Sequence, residues 1–256
     1  VQQTVAATDN LGSAAARLAH DTVDLPAPAH LEPRLSAQPV ARRKGWRHYF
    51  GAMVLRLWGW TPEGNPPDVP KYVFIAAPHT SGWDFPFMIA FAWWWGVDIR
   101  WLGKHTLFSG IWGPFFRWFG GIPVDRSKKH DMIKSFARAF AERDELVLVI
   151  PAEGTRKYRD YWKSGFYWAA RRAHVPVCLG YMDFQRKVGG FGPLLWPSQD
   201  LGRDMDFIRA FYTGMQGKHP EKFSRIRVRQ EDDGIAAPTG GGGPVDLDGA
   251  GLADGD

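Results

Sequence analysis

A histidine and an aspartate stand five positions apart in Pro78-His79-Thr80-Ser81-Gly82-Trp83-Asp84, directly after the strand-like run Tyr72 to Ala77. Brought together, an imidazole and a carboxylate make a general base and the group that orients it. Within one continuous helix, residues five apart diverge by roughly 140° and do not meet. The pair works only if His79 lies on the turn and Asp84 in the first turn of the next helix. The carboxylate then reaches one ring nitrogen and leaves the other to a substrate. The alternative is a plain helix start capped by Thr80 or Ser81, with His79 an unremarkable loop residue.

Three more segments favour the chemical reading. They are Gly120-Gly121-Ile122-Pro123-Val124-Asp125-Arg126, then Pro151-Ala152-Glu153-Gly154-Thr155-Arg156, and then Val175-Pro176-Val177. In this order and spacing the four segments resemble the motifs of the glycerolipid acyltransferase family, enzymes that acylate glycerol 3-phosphate and lysophosphatidic acid. The resemblance runs over residues 70–185 and includes the basic stretch Trp162-Lys163-Ser164-Gly165-Phe166. The chain departs from the family pattern at Pro78, where Asn is usual, and at Pro151-Ala152, where Phe-Pro is usual. The fourth motif also differs, in Leu179-Gly180-Tyr181. None of these changes removes a titratable group.

The resemblance implies acyl transfer from a thioester to a hydroxyl of a lysophosphatidic-acid-like acceptor. Acyl-CoA or acyl carrier protein would be the co-substrate, with no bound cofactor. His79 would deprotonate the acceptor hydroxyl while Asp84 holds the imidazole. A thioester is already activated, so no covalent acyl-enzyme is required. Backbone N–H groups from Ser81 to Trp83 are candidates for the oxyanion site. Arg126, Thr155 and Arg156, with close backbone approach allowed at Gly154, suit the acceptor phosphate. Asp125 would position Arg126. Glu153 is expected to orient Arg126, Arg156 or a substrate hydroxyl, and Lys163 and Lys104 are further cations.

Three other readings use the same residues differently. The acceptor is a different lyso-lipid; or His79 and Asp84 activate water or Ser81 in a hydrolase, against which no GxSxG elbow occurs; or the chain is a non-catalytic lipid-binding protein at a membrane surface. Metal catalysis is disfavoured because the eight histidines show no HExxH spacing. Cys178, the single cysteine, sits in an apolar run and reads as core.

These residues need a scaffold, and the chain of 256 residues, 45% of them apolar, suffices for one sizeable α/β domain. Strand-like and helix-like segments alternate: strands at 72–77, 98–102, 121–124, 145–150 and 175–182, with helices at 81–95, 107–118, 129–142 and 164–173. This predicts a mainly parallel sheet flanked by helices, with ligands gathered at the carboxyl ends of the strands. The expected organisation is a flexible lead (1–42), an amphipathic interfacial helix (43–61), an acyltransferase domain (70–230) and a disordered acidic Gly-rich tail (234–256).

Charge and tryptophan point to the partner. The net charge is +5, and residues 231–256 hold seven acids with no Lys or Arg, so +12 rests on the remainder. A basic body suits anionic lipid or phosphorylated substrates, and no nucleic-acid-binding signature is present. Ten of 13 tryptophans fall between residues 46 and 118, and indole favours the water–bilayer interface. With Arg43, Arg47 and Arg56 nearby, the helix at 43–61 is expected to lie on the cytoplasmic face of a membrane. The same aromatics also suit a core or an acyl-chain groove. Residues 1–44 lack the pattern of a secretory leader. The longest charge-free apolar run, Phe85 to Val97, has 13 residues, fewer than a bilayer crossing needs.

Overall fold

The computed structural model describes residues 45–124, 136 and 138–232. The expected lead, the acidic tail, Asp125, Arg126 and most of the expected 129–142 helix lie outside these residues. Among the described residues seven strands form one sheet: β1 (Thr61–Glu63), β2 (Lys71–Ala77), β3 (Ile99–Lys104), β4 (Gly121–Val124), β5 (Leu146–Ile150), β6 (Val177–Asp183) and β7 (Val188–Leu195). Their spatial order is β1-β7-β6-β2-β5-β3-β4. Every neighbouring pair is parallel except β6 with β7. The helices whose full extent lies within the described residues are α1 (Trp46–Leu57), α2 (Asp84–Trp95), α3 (Gly113–Trp118), α4 (Gly165–Ala173) and α5 (Leu201–Tyr212).

Alternation along the central strands splits the core in two. On β5, Leu146, Leu148 and Ile150 join Val73 and Ile75 of β2 on one face, against Phe166 and Ala170 of α4 and Met205 and Ile208 of α5. Val147, Val149 and Tyr72 point the other way, to Ile89 and Ala92 of α2. Side chains of successive strand residues leave opposite faces, so a strand covered on both sides must be apolar throughout. β5 is, with all five residues buried.

The sequence reading recovers the parallel centre and misses the β1–β7 edge. The helix expected over 43–61 overruns its true end at Leu57, and Thr61–Glu63 instead pairs in parallel with β7. β7 itself escapes the pattern because Gly189, Gly190 and Gly192 interrupt it. These glycines are packing devices: a Cβ on Gly190 would lie 1.8 Å from the Glu63 carbonyl oxygen, and one on Gly192 would lie 2.2 Å from the Phe211 ring. The turn between β6 and β7 is closed by Asp183, whose Oδ1 accepts from the N–H groups of Gln185 and Arg186.

The helix expected over 107–118 is three short pieces, with 3₁₀ turns at His105–Phe108 and Gly110–Trp112 before α3. Gly110 at φ 68° breaks the run, since a left-handed residue cannot continue a right-handed helix. α1 ends at Leu57, ahead of Gly59 at φ 72°. It crosses α2 so closely that a Cβ on Gly51 would lie 2.5 Å from the Ala90 carbonyl oxygen. Only Gly51 and Leu55 of α1 are buried; Trp46, Tyr49, Phe50, Met53 and Leu57 are exposed. No described helix is long and apolar enough to cross a membrane.

Candidate active site

Register brings the motifs to one edge. Ile75 of β2 is level with Ile150, the last residue of β5, so the loops that follow the two strands leave the sheet side by side. One carries His79 and the other Glu153. The first loop begins with a cis peptide bond between Ala77 and Pro78 and ends where α2 starts, at Asp84.

His79 and Asp84 meet. The imidazole Nδ1 lies 3.0 Å from Asp84 Oδ2, the ring a quarter exposed and the carboxylate almost wholly buried. Oδ2 also accepts from the Ser81 N–H at 2.9 Å, while the buried Oδ1 has no partner among the described residues. The helix-start alternative is present in part, since the Trp83 N–H donates to Ser81 Oγ at 3.2 Å. Of the three expected oxyanion donors, Ser81 and Trp83 are therefore engaged within the turn. Gly82 N–H has no partner among the described residues.

Glu153 stands elsewhere than expected. Its side chain is fully buried, with Oε1 accepting from the His79 N–H at 2.5 Å and Oε2 from the Ser224 N–H at 3.0 Å. Burial pushes its pKa up and the two amide donors pull it back, leaving it above the ordinary carboxyl value. The carboxylate thus faces backbone, and the substrate contact expected of it gives way to a clamp under the His79 loop. Gly154 is buried at φ 68°, a conformation that favours glycine. Thr155 Oγ1 accepts from the Lys157 N–H at 3.3 Å. Arg156 is exposed, and its Nη1 lies 3.0 Å from where a Cβ on Gly82 would stand. The guanidinium is thus drawn over the turn beside His79. Lys163 is half-buried, its N–H donating to the Ala152 carbonyl at 2.7 Å. Arg126 lies outside the described residues.

Residues 65–180 match the Acyltransferase family model. The matched segment runs from before β2 into β6, ending at Gly180, and contains every expected catalytic and substrate-binding residue. It excludes α1, β1, β7 and α5. A solved structure, the 1-acyl-sn-glycerophosphate (LPA) acyltransferase PlsC from Thermotoga maritima, is similar to this chain at 13% identity and a TM-score of 0.45. The likeness covers 64% of this chain and 74% of that one. A comparison with curated proteins finds no match.

Sequence reasoning misses the far wall of the site, residues 216–224. Thr80 Oγ1 accepts from the His219 N–H at 3.2 Å. Gly217 is pressed so close that a Cβ there would lie 2.4 Å from the same Oγ1. The Lys218 ammonium lies 5.0 Å from the centre of the Trp83 ring. These residues carry no motif, and only the fold brings them to His79. Cys178 is buried and unreactive, its thiol pushed well up by desolvation.

A connected aromatic surface surrounds α1 and the C-terminal end of α2. Trp46 stacks on Trp118 at 6.3 Å, and both meet Trp93, which also contacts Phe50. The Arg47 guanidinium sits 5.2–5.8 Å from three of these rings, at a cavity of about 250 Å³ between α1 and α2. Trp60 and Trp162 are core, whereas Trp46 and Trp112 are about 60% exposed. The core expectation for the tryptophans holds for the buried rings.

Proposed function

We propose that this chain is a glycerolipid O-acyltransferase, moving an acyl chain from an acyl thioester to a hydroxyl of a lysophosphatidic-acid-like acceptor. The observation that carries the reading is the His79–Asp84 contact beside the exposed Arg156, within a segment matched to the acyltransferase family. Asp84 holds the proton on Nδ1, which leaves the Nε2 lone pair for a substrate. Nε2 takes the proton of the acceptor hydroxyl as its oxygen attacks the thioester carbonyl, and the imidazolium formed is stabilised by the buried carboxylate. The Gly82 N–H supplies a donor to the tetrahedral oxyanion. Collapse expels the thiolate, which takes the proton back from His79. Glu153 acts through the backbone of His79 and is a positioning residue. Arg156, with Arg126, Thr155 and Lys163, is assigned to the acceptor phosphate.

The exposed face of α1 and the tryptophans around it support peripheral attachment to a lipid surface, where such acceptors reside. Arg47 and Arg56 on the same helix suit an anionic, cytoplasmic leaflet. The decisive assay incubates the protein with acyl-CoA and a panel of lyso-lipids, following free thiol and product mass. Thiol release matched by acylated product supports transfer. Thiol release with free fatty acid alone refutes it in favour of a hydrolase, and neither signal favours the lipid-binding reading.

A further inference from the structure

The acyltransferase segment ends at Gly180, yet the wall opposite His79 is built from residues some forty positions later. That wall is fixed at three points. Glu153 bridges the His79 and Ser224 amides, Thr80 accepts from the His219 amide, and Gly217 is seated against Thr80. Lys218 lies between the two residues that touch Thr80, so its backbone position relative to His79 is set.

Its side chain is aimed as well. The ammonium rests over Trp83, a ring about half exposed at the mouth, an attraction that holds a cation in place without neutralising it. One residue back along the same turn, Gly82 carries the Arg156 guanidinium. Both cations are exposed. Among the described residues neither has a carboxylate partner, in contrast to Arg138, Arg186 and Arg209, which do. An exposed ammonium over Trp83 and an exposed guanidinium against Gly82 thus leave two uncompensated positive charges on one turn beside His79, a setting that favours an anion.

We propose that Lys218 is a substrate-binding residue that works with Arg156 to take a phosphate group of one of the two substrates. This rests on the acyl-transfer reading. Both substrates carry such a group: the acceptor its phosphate, the donor the phosphates of its pantetheine carrier. Lys218 therefore contributes to specificity from outside the motif-bearing segment.

The test compares Lys218→Ala and Lys218→Arg with the native protein. Each substrate is varied while the other is saturating. In Lys218→Ala one KM rises about tenfold with kcat within about twofold, because a ground-state contact is lost. Lys218→Arg restores most of it, as a guanidinium also stacks on indole. A rise for the acceptor assigns its phosphate, and a rise for acyl-CoA assigns the carrier. Unchanged KM values, or a fall in kcat with unfolding in Lys218→Ala and no rescue by Arg, overturn the proposal. Calorimetric titration with inorganic phosphate reads the site without turnover: affinity falls about tenfold in Lys218→Ala, and equal affinity overturns the proposal. A native protein that binds phosphate through Lys218 but transfers no acyl group would refute the acyl-transfer reading alone.

Discussion

Gly217→Ala tests whether residues 216–224 hold the His79 loop in place. The added methyl would stand 2.4 Å from Thr80 Oγ1, 2.8 Å from Thr80 Cγ2 and 3.1 Å from Pro78 Cβ. Comfortable separation for such atoms is about 3.5–4.0 Å, so one segment must retreat by about 1 Å. Overpacking of this kind costs about 1–3 kcal/mol of stability. Since Thr80 follows His79, the same displacement lowers kcat by about 10²-fold. Thr80→Ala alone loses the His219 contact, worth about 1 kcal/mol, but it removes the two atoms nearest the new methyl. The double variant is therefore more stable than the sum of the single effects by at least about 1 kcal/mol. Denaturant melts and turnover on the four proteins complete the cycle. A Gly217→Ala protein with native stability and rate, or a strictly additive double variant, refutes the close packing of this wall on the His79 loop.

His79→Ala lowers turnover by about 10²–10⁴-fold with an unchanged circular dichroism spectrum, and Asp84→Asn is also severely impaired; steady-state kinetics with near-native rates for His79→Ala would exclude it as the base. Arg156→Ala raises the acceptor KM with kcat largely kept, and a native enzyme that uses the dephospho-acceptor equally well would remove the phosphate assignment. Burial raises the Glu153 pKa, so the native fold binds that proton more tightly than the unfolded chain and loses stability as pH rises through the raised value. Glu153→Gln has no such titration, so native stability relative to this variant declines from about pH 4.5 upward; a difference constant with pH in denaturant titrations would show that Glu153 is not held above its ordinary value. Replacing Trp46 and Leu57 by Gln weakens sedimentation with anionic vesicles while leaving turnover on a soluble short-chain acceptor intact; undiminished vesicle binding would exclude this face of α1 as the attachment surface.

The His79–Asp84 contact was legible because it depends on residue type and on a spacing that works only across a strand-to-helix junction. The central strands were legible because β2, β5 and β6 are covered on both faces and must be apolar. Glu153 was not: a carboxylate's identity says nothing about whether it will face a guanidinium or two backbone amides. β7 was hidden because its glycines are there for what approaches them, the Glu63 carbonyl and the Phe211 ring. α5 is the opposite case. Leu201, Met205, Ile208 and Tyr212 recur at helical spacing behind Asp200, which caps the Arg203 N–H at 3.0 Å. That periodic signal is present in the sequence, but no motif draws attention to it.

The pairing of Thr61 with Val188 joins the strand that follows the first described helix to one synthesised near the end of the domain. During translation α1 and β1 leave the ribosome well before β7 exists, so this edge of the sheet closes only when most of the domain has emerged. Its closure is a long-range event of the kind that slows folding. For that interval the nascent chain presents Trp46, Phe50 and Leu57 on a segment whose following strand has no partner.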